Sequence, residues 1–379
     1  MNKQMKQRPD GSLPRKDRVG KNWFRTLFGF DETIYEETQM WLHVEGDTLY
    51  SHGNNTSYKI GSFETPSLEK LRESVLMNKD VNRVMKKGGL KLSAVKGDVQ
   101  LFLANKTNMY ATFQVASQFN CLEFIAPSYV PEDGITGYVR DRTQGPACSI
   151  ACGPATAYRN YFAPVNTAKG KVRIGQTEDH MIDNLCDFSH LIGNDPKNPF
   201  FTVEGGYTMA SADGLQRLNK GPLQNPLDEK LLGSIRIGVH TDIQVTSSNW
   251  GRVNVADENI IVAQVFCSAC AVNYNSGSSV SEWENLSRCV LYSAYESTLL
   301  AAILNAYNHK GSHASKRVYL TLLGGGVFGN PDEWILDAIR RACEKLIDYD
   351  LDVKIIAYGG VPENIQQLVK NFDAQVFPQ

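Results

Sequence analysis

From residue 235 onward, apolar runs alternate with longer amphipathic patterns. Residues 235–245 and 260–272 read as strands, and 283–306 reads as a long helix. The run at 318–323 is a further strand, followed by a helix over 333–346. A strand at 353–358 and a helix at about 363–371 close the chain. Strands of four to eight apolar residues spaced by helices predict an α/β sheet with helices on its faces. Upstream, 92–95, 100–103 and 111–116 read as strands, the first two set around Lys96-Gly97-Asp98.

The N-terminal third has another texture. Residues 35–61 hold short strand-like pieces broken by turns such as Gly53-Asn54-Asn55. Residues 67–78 form a helix pattern with Ser67 as its cap and Leu68, Leu71 and Val75 at helical spacing. The aromatic run from Trp23 to Phe30 is too apolar to stay in water and is expected to dock on the body of the protein. These patterns divide the chain into a disordered basic tail at 1–21, an N-terminal elaboration at 22–89, and a main domain at 90–379. The polar, loop-rich stretch 162–232 is expected to be an insertion into that domain with mobile parts.

Composition narrows the function classes. The chain has 379 residues and a formal net charge of −2, so it lacks the electrostatic footprint of a nucleic-acid binder apart from the tail. No apolar run reaches membrane-spanning length, and no signal-peptide pattern is present, which predicts a cytoplasmic or otherwise intracellular protein. The 8 cysteines sit mostly in apolar runs and read as buried thiols in a reducing compartment. Cys267 and Cys270 have metal-ligand spacing, but alternation along 260–272 puts them on opposite faces and no second pair accompanies them. No metal or other cofactor is expected. The histidines lack partners at diagnostic spacing, and no serine has a nucleophile-elbow context.

The most informative stretch is the strand at 318–323 running into Gly324-Gly325-Gly326-Val327-Phe328-Gly329-Asn330-Pro331, with a helix from about Asp332. Glycines let several backbone N–H groups converge on one anion, and the helix adds its positive end. The pattern is neither a P-loop, which needs Lys-Ser/Thr after the glycines, nor a Gly-x-Gly-x-x-Gly dinucleotide turn. A second strand–loop–helix runs from Gln118 through Asp133, Asp141, Thr143, Gln144, Gly145 and Pro146. Two such loops facing each other at the carboxyl ends of parallel strands would hold a diphosphate. Asp133 and Asp141 flank Gly134-Ile135-Thr136-Gly137 and are expected to converge on one point, with Glu123 and Glu132 as reserves. Paired carboxyls suit the cleavage of a glycosidic bond: one stabilises a developing oxocarbenium ion or activates water, the other assists the leaving group. Glu296, on the long helix, is expected to be a structural acid.

These motifs together resemble the macrodomain superfamily, whose members bind ADP-ribose, over residues 90–360. The resemblance implies a three-layer α/β/α fold with a mixed sheet, enlarged here by the N-terminal extension and the insertion. It implies that Asp98 and Val99 hold the adenine edge and that Tyr358 stacks on the base. Gln118, Thr143, Gln144 and Gly145 would belong to the first loop, and Gly324, Gly325, Gly326, Val327, Phe328 and Gly329 to the second. Asn120 would orient a ribose hydroxyl beside the catalytic Asp133 and Asp141. The runs at 118–123, 143–147, 159–161 and Tyr295-Glu296 are similar to a divergent branch beside the poly(ADP-ribose) glycohydrolases, the MavL-type arginine-ADP-ribosyl hydrolases. The usual Gly-Gly-Gly of the first loop and a Gln-Glu-Glu signature are absent, so the implied activity is removal of ADP-ribose from modified protein, with arginine the expected linkage. A module that binds ADP-ribose without turning it over is the alternative.

Overall fold

The computed structural model describes residues 22–166 and 172–376. The basic tail at 1–21 lies outside the described residues. A seven-stranded mixed sheet forms the centre. Its strands are β1 (Ser62–Glu64), β2 (Lys91–Lys96), β3 (Thr112–Ala116), β4 (Gly238–Gln244), β5 (Ile261–Cys267), β6 (Arg317–Leu320) and β7 (Asp352–Ala357). In space they run β1-β4-β5-β3-β6-β7-β2. The five from β5 to β2 are parallel, while β4 is antiparallel to both its neighbours.

The alternation of side chains along the strands feeds two apolar layers. On one face Val265, Val318, Leu320, Val353 and Ile355 pack under α3 (Glu284–Asn308) and α4 (Asp332–Lys345). On the other, Phe113, Val115, Val262, Phe266 and Tyr319 pack under α1 (Gln144–Ala151) and the start of α2 (Gly153–Tyr161). The fold is therefore the expected three-layer α/β/α with a mixed sheet. α3 has the length and apolarity of a membrane span, yet the 18-residue stretch that meets that test is 94% buried inside the protein. It is the central core helix.

Several elements depart from the expected ones. Residues 99–103 form a helix, Val99–Leu103, because the Asp98 carboxylate accepts the Gln100 N–H and Val99 and Leu103 share one buried face. The helical stretch from Gln144 to Tyr161 is two helices broken at Cys152, beside Gly153-Pro154. A Cβ at Gly153 would lie 2.5 Å from Leu27 Cδ2, so this glycine admits the N-terminal segment. β5 stops at Cys267, so Cys267 and Cys270 do not alternate across a sheet; both are buried in the same apolar layer.

The N-terminal segment is woven into the domain. Trp23, Phe24 and Phe28 are buried as expected, packed with Leu122, Ile135, Tyr138 and Tyr161. Residues 42–59 form a three-stranded meander, and β1 adds an edge to the main sheet. The 162–232 stretch, expected to be loop-rich, sends Leu185, Phe188, Phe201, Leu215 and Leu232 into the main core. The apolar residues there are too widely spaced for periodicity to reveal them.

Glu296 is structural, as expected. Its carboxylate takes two bonds from Arg72, at 2.6 and 2.9 Å, and one from Lys345 at 2.9 Å. Both side chains of the Arg72–Glu296 pair are largely shielded from water, and without Glu296 the Arg72 and Lys345 charges keep only the half-exposed Glu229 as partner. Glu296→Ala should cost about 3 kcal/mol of stability in denaturant unfolding, and should leave the cleft described below unchanged.

Candidate functional site

Where β3 and β6 separate, the sheet opens. The two strands pair at Val318–Thr112 and Tyr319–Phe113, and no further. β3 continues beside β5 as far as Ala116. Its free edge is answered by side chains: the Gln144 amide donates to Gln114 O (2.8 Å) and accepts the Ala116 N–H (2.8 Å). The Gln114 side chain in turn accepts the Thr321 N–H (3.3 Å) and donates to Thr298 Oγ1 (2.9 Å). The ends of β3, β5 and β6 thus frame a cleft at a topological switch point, outside the carboxyl ends of parallel strands.

The cleft has a volume of about 210 Å³. One wall is Ser117, Gln118, Glu123, Asp141, Thr143 and Gln144, and the other is Thr321–Gly324 with Gly326, Val327 and Phe328. Tyr207 and Tyr274 close a third side, their rings 5.2 Å apart and each within 6 Å of Phe328. The two glycine-bearing loops expected to face each other line opposite walls of this cleft.

The glycine turn has the make-up of an anion cradle. The N–H groups of Gly324, Gly326, Val327 and Phe328 donate to no acceptor among the described residues. Gly324 adopts φ of 70°, and a Cβ there would meet Ala269 and Asn330 at 2.5 Å, so both its conformation and its surroundings require glycine. Gly325 faces Ile335 and Gly329 faces Asn273, so these two shape the turn without lining the cleft. Around Gly326 the space is open. α4 begins at Asp332 with Asp332 and Glu333 in its first turn, so its own carboxylates answer its positive end and the loop N–H groups carry the cradle.

Glu123 and Asp141 are the carboxyls that reach the cleft. Glu123 is 3% exposed, and its Oε1 has no hydrogen-bond partner among the described residues. Burial pushes this carboxyl well above the usual carboxylate range; the Arg159 guanidinium and Ser117 pull the other way, and the Asp141 charge pushes it further up. Asp141 is half-buried and accepts the Thr143 N–H at 3.0 Å, an Asx turn at the start of α1. Gly145 sits where a Cβ would lie 2.0 Å from Ala116 O and 2.4 Å from Glu123 Oε2, so only glycine lets α1 begin against both.

Other expected site residues stand elsewhere. Asp133 does not converge with Asp141: its Oδ2 accepts the Val130 N–H at 3.0 Å, closing a short 3₁₀ turn, and it is not among the cleft-lining residues. Glu132 accepts the Glu178 N–H and faces the insertion. Asn120 is fully buried and away from the cleft. Its Oδ1 accepts the Leu122 N–H and its Nδ2 donates to Gly205 O and Met181 Sδ, which holds Cys121 at φ of 61°. Gln118 lines the cleft, but its amide is engaged by Phe124 and Tyr207. Val99 is a core residue, Asp98 caps its helix, and Tyr358, 79% exposed, follows β7 on the same edge of the sheet.

Glu123 was legible only as a reserve, because nothing in its local sequence marks a buried, unpartnered acid. Tyr207 was missed. Its signal was the Gly205-Gly206 turn, which forms a hairpin between Thr202–Glu204 and Tyr207–Met209. Gly206 presses that hairpin against Gln118 and Asn120.

No family model matches the chain, and no curated protein does. Among solved structures it is similar to a poly(ADP-ribose) glycohydrolase from Deinococcus radiodurans in complex with ADP-ribose, at 9% identity over 83% of this chain and 96% of that one, with a TM-score of 0.42. It is also similar to one from Thermomonospora curvata bound to the inhibitor ADP-HPD, at 11% identity over 90% and 96%, with a TM-score of 0.37. At such identities and scores the roles of residues rest on this chain's own geometry.

Glu123 carries a pH signature. An acid whose folded pKa is raised binds its proton more tightly in the native state. It therefore contributes stability that is full below the unfolded value, near 4.3, and is lost as pH rises through the folded value. Glu123→Gln mimics the protonated form, so its stability should fall less than that of wild type as pH rises above about 4.3. Parallel denaturant-stability curves for the two proteins would show that burial does not perturb this group.

Proposed function

We propose that this protein is an ADP-ribosyl hydrolase that removes ADP-ribose from modified proteins, with arginine as the modified residue. The observation that carries the reading is the cleft, where a glycine turn with unpaired N–H groups faces two carboxyls held in different environments. In this reading the diphosphate lies on Gly324, Gly326, Val327 and Phe328. The proximal ribose enters the cleft, whose volume suits a sugar and phosphate rather than the whole ligand. The nucleoside runs along the carboxyl edge of the sheet past β6 and β7 towards Tyr358 and Asp98. From β3 to β2 is three strand spacings, about 14 Å.

The two carboxyls divide the chemistry. Glu123, whose neutral form is favoured by burial, supplies the proton to the leaving nitrogen, and Asp141 stabilises the charge that develops at the ribose carbon or activates water. Bond cleavage expels the protein side chain, and water completes the sugar. The arginine linkage rests on the resemblance of residues 118–123, 143–147 and 159–161 to arginine-ADP-ribosyl hydrolases. Eight free thiols suit work in a reducing, intracellular compartment.

Single-turnover release of ADP-ribose from an arginine-modified protein tests the reading. Asp141→Asn and Glu123→Gln should each lower the rate at least a hundredfold, about the scale for a positioned acid or base, and the double variant should be far less than additive. Asp133→Asn should lose less than tenfold. If wild type binds ADP-ribose but releases none, the protein is a reader and not an enzyme.

The cradle has its own test. Gly326→Glu adds bulk and negative charge at a position whose Cβ has open space, so the fold should survive. ADP-ribose affinity by calorimetry should fall at least tenfold, about 1.4 kcal/mol. Unchanged affinity in the folded variant would place the diphosphate elsewhere.

A further inference from the structure

The N-terminal elaboration reaches the cleft through one carboxylate. Glu32 is partly exposed along its stem, with its carboxyl turned inward. Its Oε1 accepts the Ile135 N–H at 2.8 Å and the Tyr161 hydroxyl at 2.6 Å, and its Oε2 accepts the Thr136 N–H at 2.6 Å. These backbone groups start the 3₁₀ turn Thr136–Arg140. Gly134, at φ of 80°, leaves the space: a Cβ there would lie 2.5 Å from the Glu32 carboxyl carbon. From the same N-terminal segment, Trp23 Nε1 donates to Thr136 O at 3.1 Å. Residues 22–35 therefore grip Thr136 by both its N–H and its carbonyl.

That turn leads to both cleft carboxyls. Within it, the Tyr138 hydroxyl accepts the backbone N–H of Glu123 at 2.9 Å. The residue that ends it is Asp141. Tyr138 is 2% exposed and packs edge-on against Phe124 with ring centroids 5.5 Å apart, so it has one available position. A displacement of the turn would move the backbone of Glu123 and the carboxylate of Asp141 together. The glycine cradle lies on the far wall of the cleft.

We propose that Glu32 is a positioning residue: it braces the 134–141 turn so that Glu123 and Asp141 face one reacting bond, and the N-terminal elaboration is thereby a working part of the site. The proposal rests on the hydrolase reading above for its effect on rate, and on geometry alone for its effect on the loop. A carboxylate that accepts two successive backbone N–H groups acts like a cap, and the side-chain amide in Glu32→Gln would present an N–H where one of those donors points.

The test uses the full chain with Glu32→Gln and, as a milder variant that keeps the aromatic packing, Trp23→Phe. Hydrogen exchange should rise at least tenfold for amides 134–138 in Glu32→Gln while the sheet core stays protected. The turnover number for an arginine-modified protein should fall at least tenfold with KM and ADP-ribose affinity within twofold of wild type. Trp23→Phe should show the same pattern with a smaller loss. Adding Glu32→Gln to Glu123→Gln should cause a smaller loss than Glu32→Gln causes in wild type, since the brace then positions only Asp141. Unchanged exchange at 134–138 overturns the proposal, as does turnover that is unaffected once the loop has loosened. Turnover and affinity falling together with a general rise in exchange would reduce Glu32 to a stabilising contact and also overturn it. If wild type hydrolyses nothing, the hydrolase reading falls by itself, and the local exchange result still decides whether Glu32 braces the turn.

Discussion

The site depends on the parting of two parallel strands. β3 and β6 share two residue pairs and then diverge, which exposes backbone groups in the middle of a sheet. Unpaired, each such group would cost about 1–3 kcal/mol. Two glutamine side chains take their place, Gln144 on β3 and Gln114 towards Thr321. With the ladder satisfied by amides instead of a strand, the loops after β3, β5 and β6 can stand apart and leave a cleft. Gly145 follows from this, since α1 must start against the strand it patches. So does the reach of the glycine turn, which leaves β6 on the opposite bank.

What lines the two banks differs in kind. The glycine side offers fixed dipoles without charge, suited to an anion that arrives already ionised. The other side holds two acids in unlike settings. Glu123 is sealed from water with an unpartnered oxygen, while Asp141 sits half-buried at a helix start. Burial favours the neutral form of the first, which suits it to the role of proton donor. Arg159 sits beneath them, fully buried, bonded to Cys121 O and stacked 3.8 Å from the Phe266 ring centroid. It fixes the strained turn at Cys121 that points Glu123 towards the cleft.

The layers of the fold and the glycine loop were legible because apolar strands and glycine clusters report on local physics. The run before Gly324 has the pattern of a buried strand, and the turn after it requires glycine at Gly324 and Gly329. Asp141, Thr143 and Gln144, which line the cleft, are legible for the same reason, as a polar loop before a helix. Asp133 and Asn120 were misplaced because a loop carboxylate or amide reads alike whether it faces ligand or caps its own backbone; the Val130 and Leu122 N–H groups decide it, and they are a matter of conformation. Glu123 is legible only as a reserve and Glu32 not at all, since their contacts are with residues 15 to 129 positions away. The helix at 99–103 was read as a strand because five residues are too few to separate the two periods.

The central claim is that ADP-ribose lies across the parted strands with its reacting carbon between Glu123 and Asp141. A crystal structure of the Asp141→Asn variant with ADP-ribose tests it most directly. The account predicts the diphosphate oxygens on the N–H groups of Gly324, Gly326, Val327 and Phe328, and the anomeric carbon of the proximal ribose within about 3–3.5 Å of a side-chain oxygen from position 123 or 141. Density for ADP-ribose elsewhere on the protein, or in the cleft with the ribose turned away from Glu123, would contradict it.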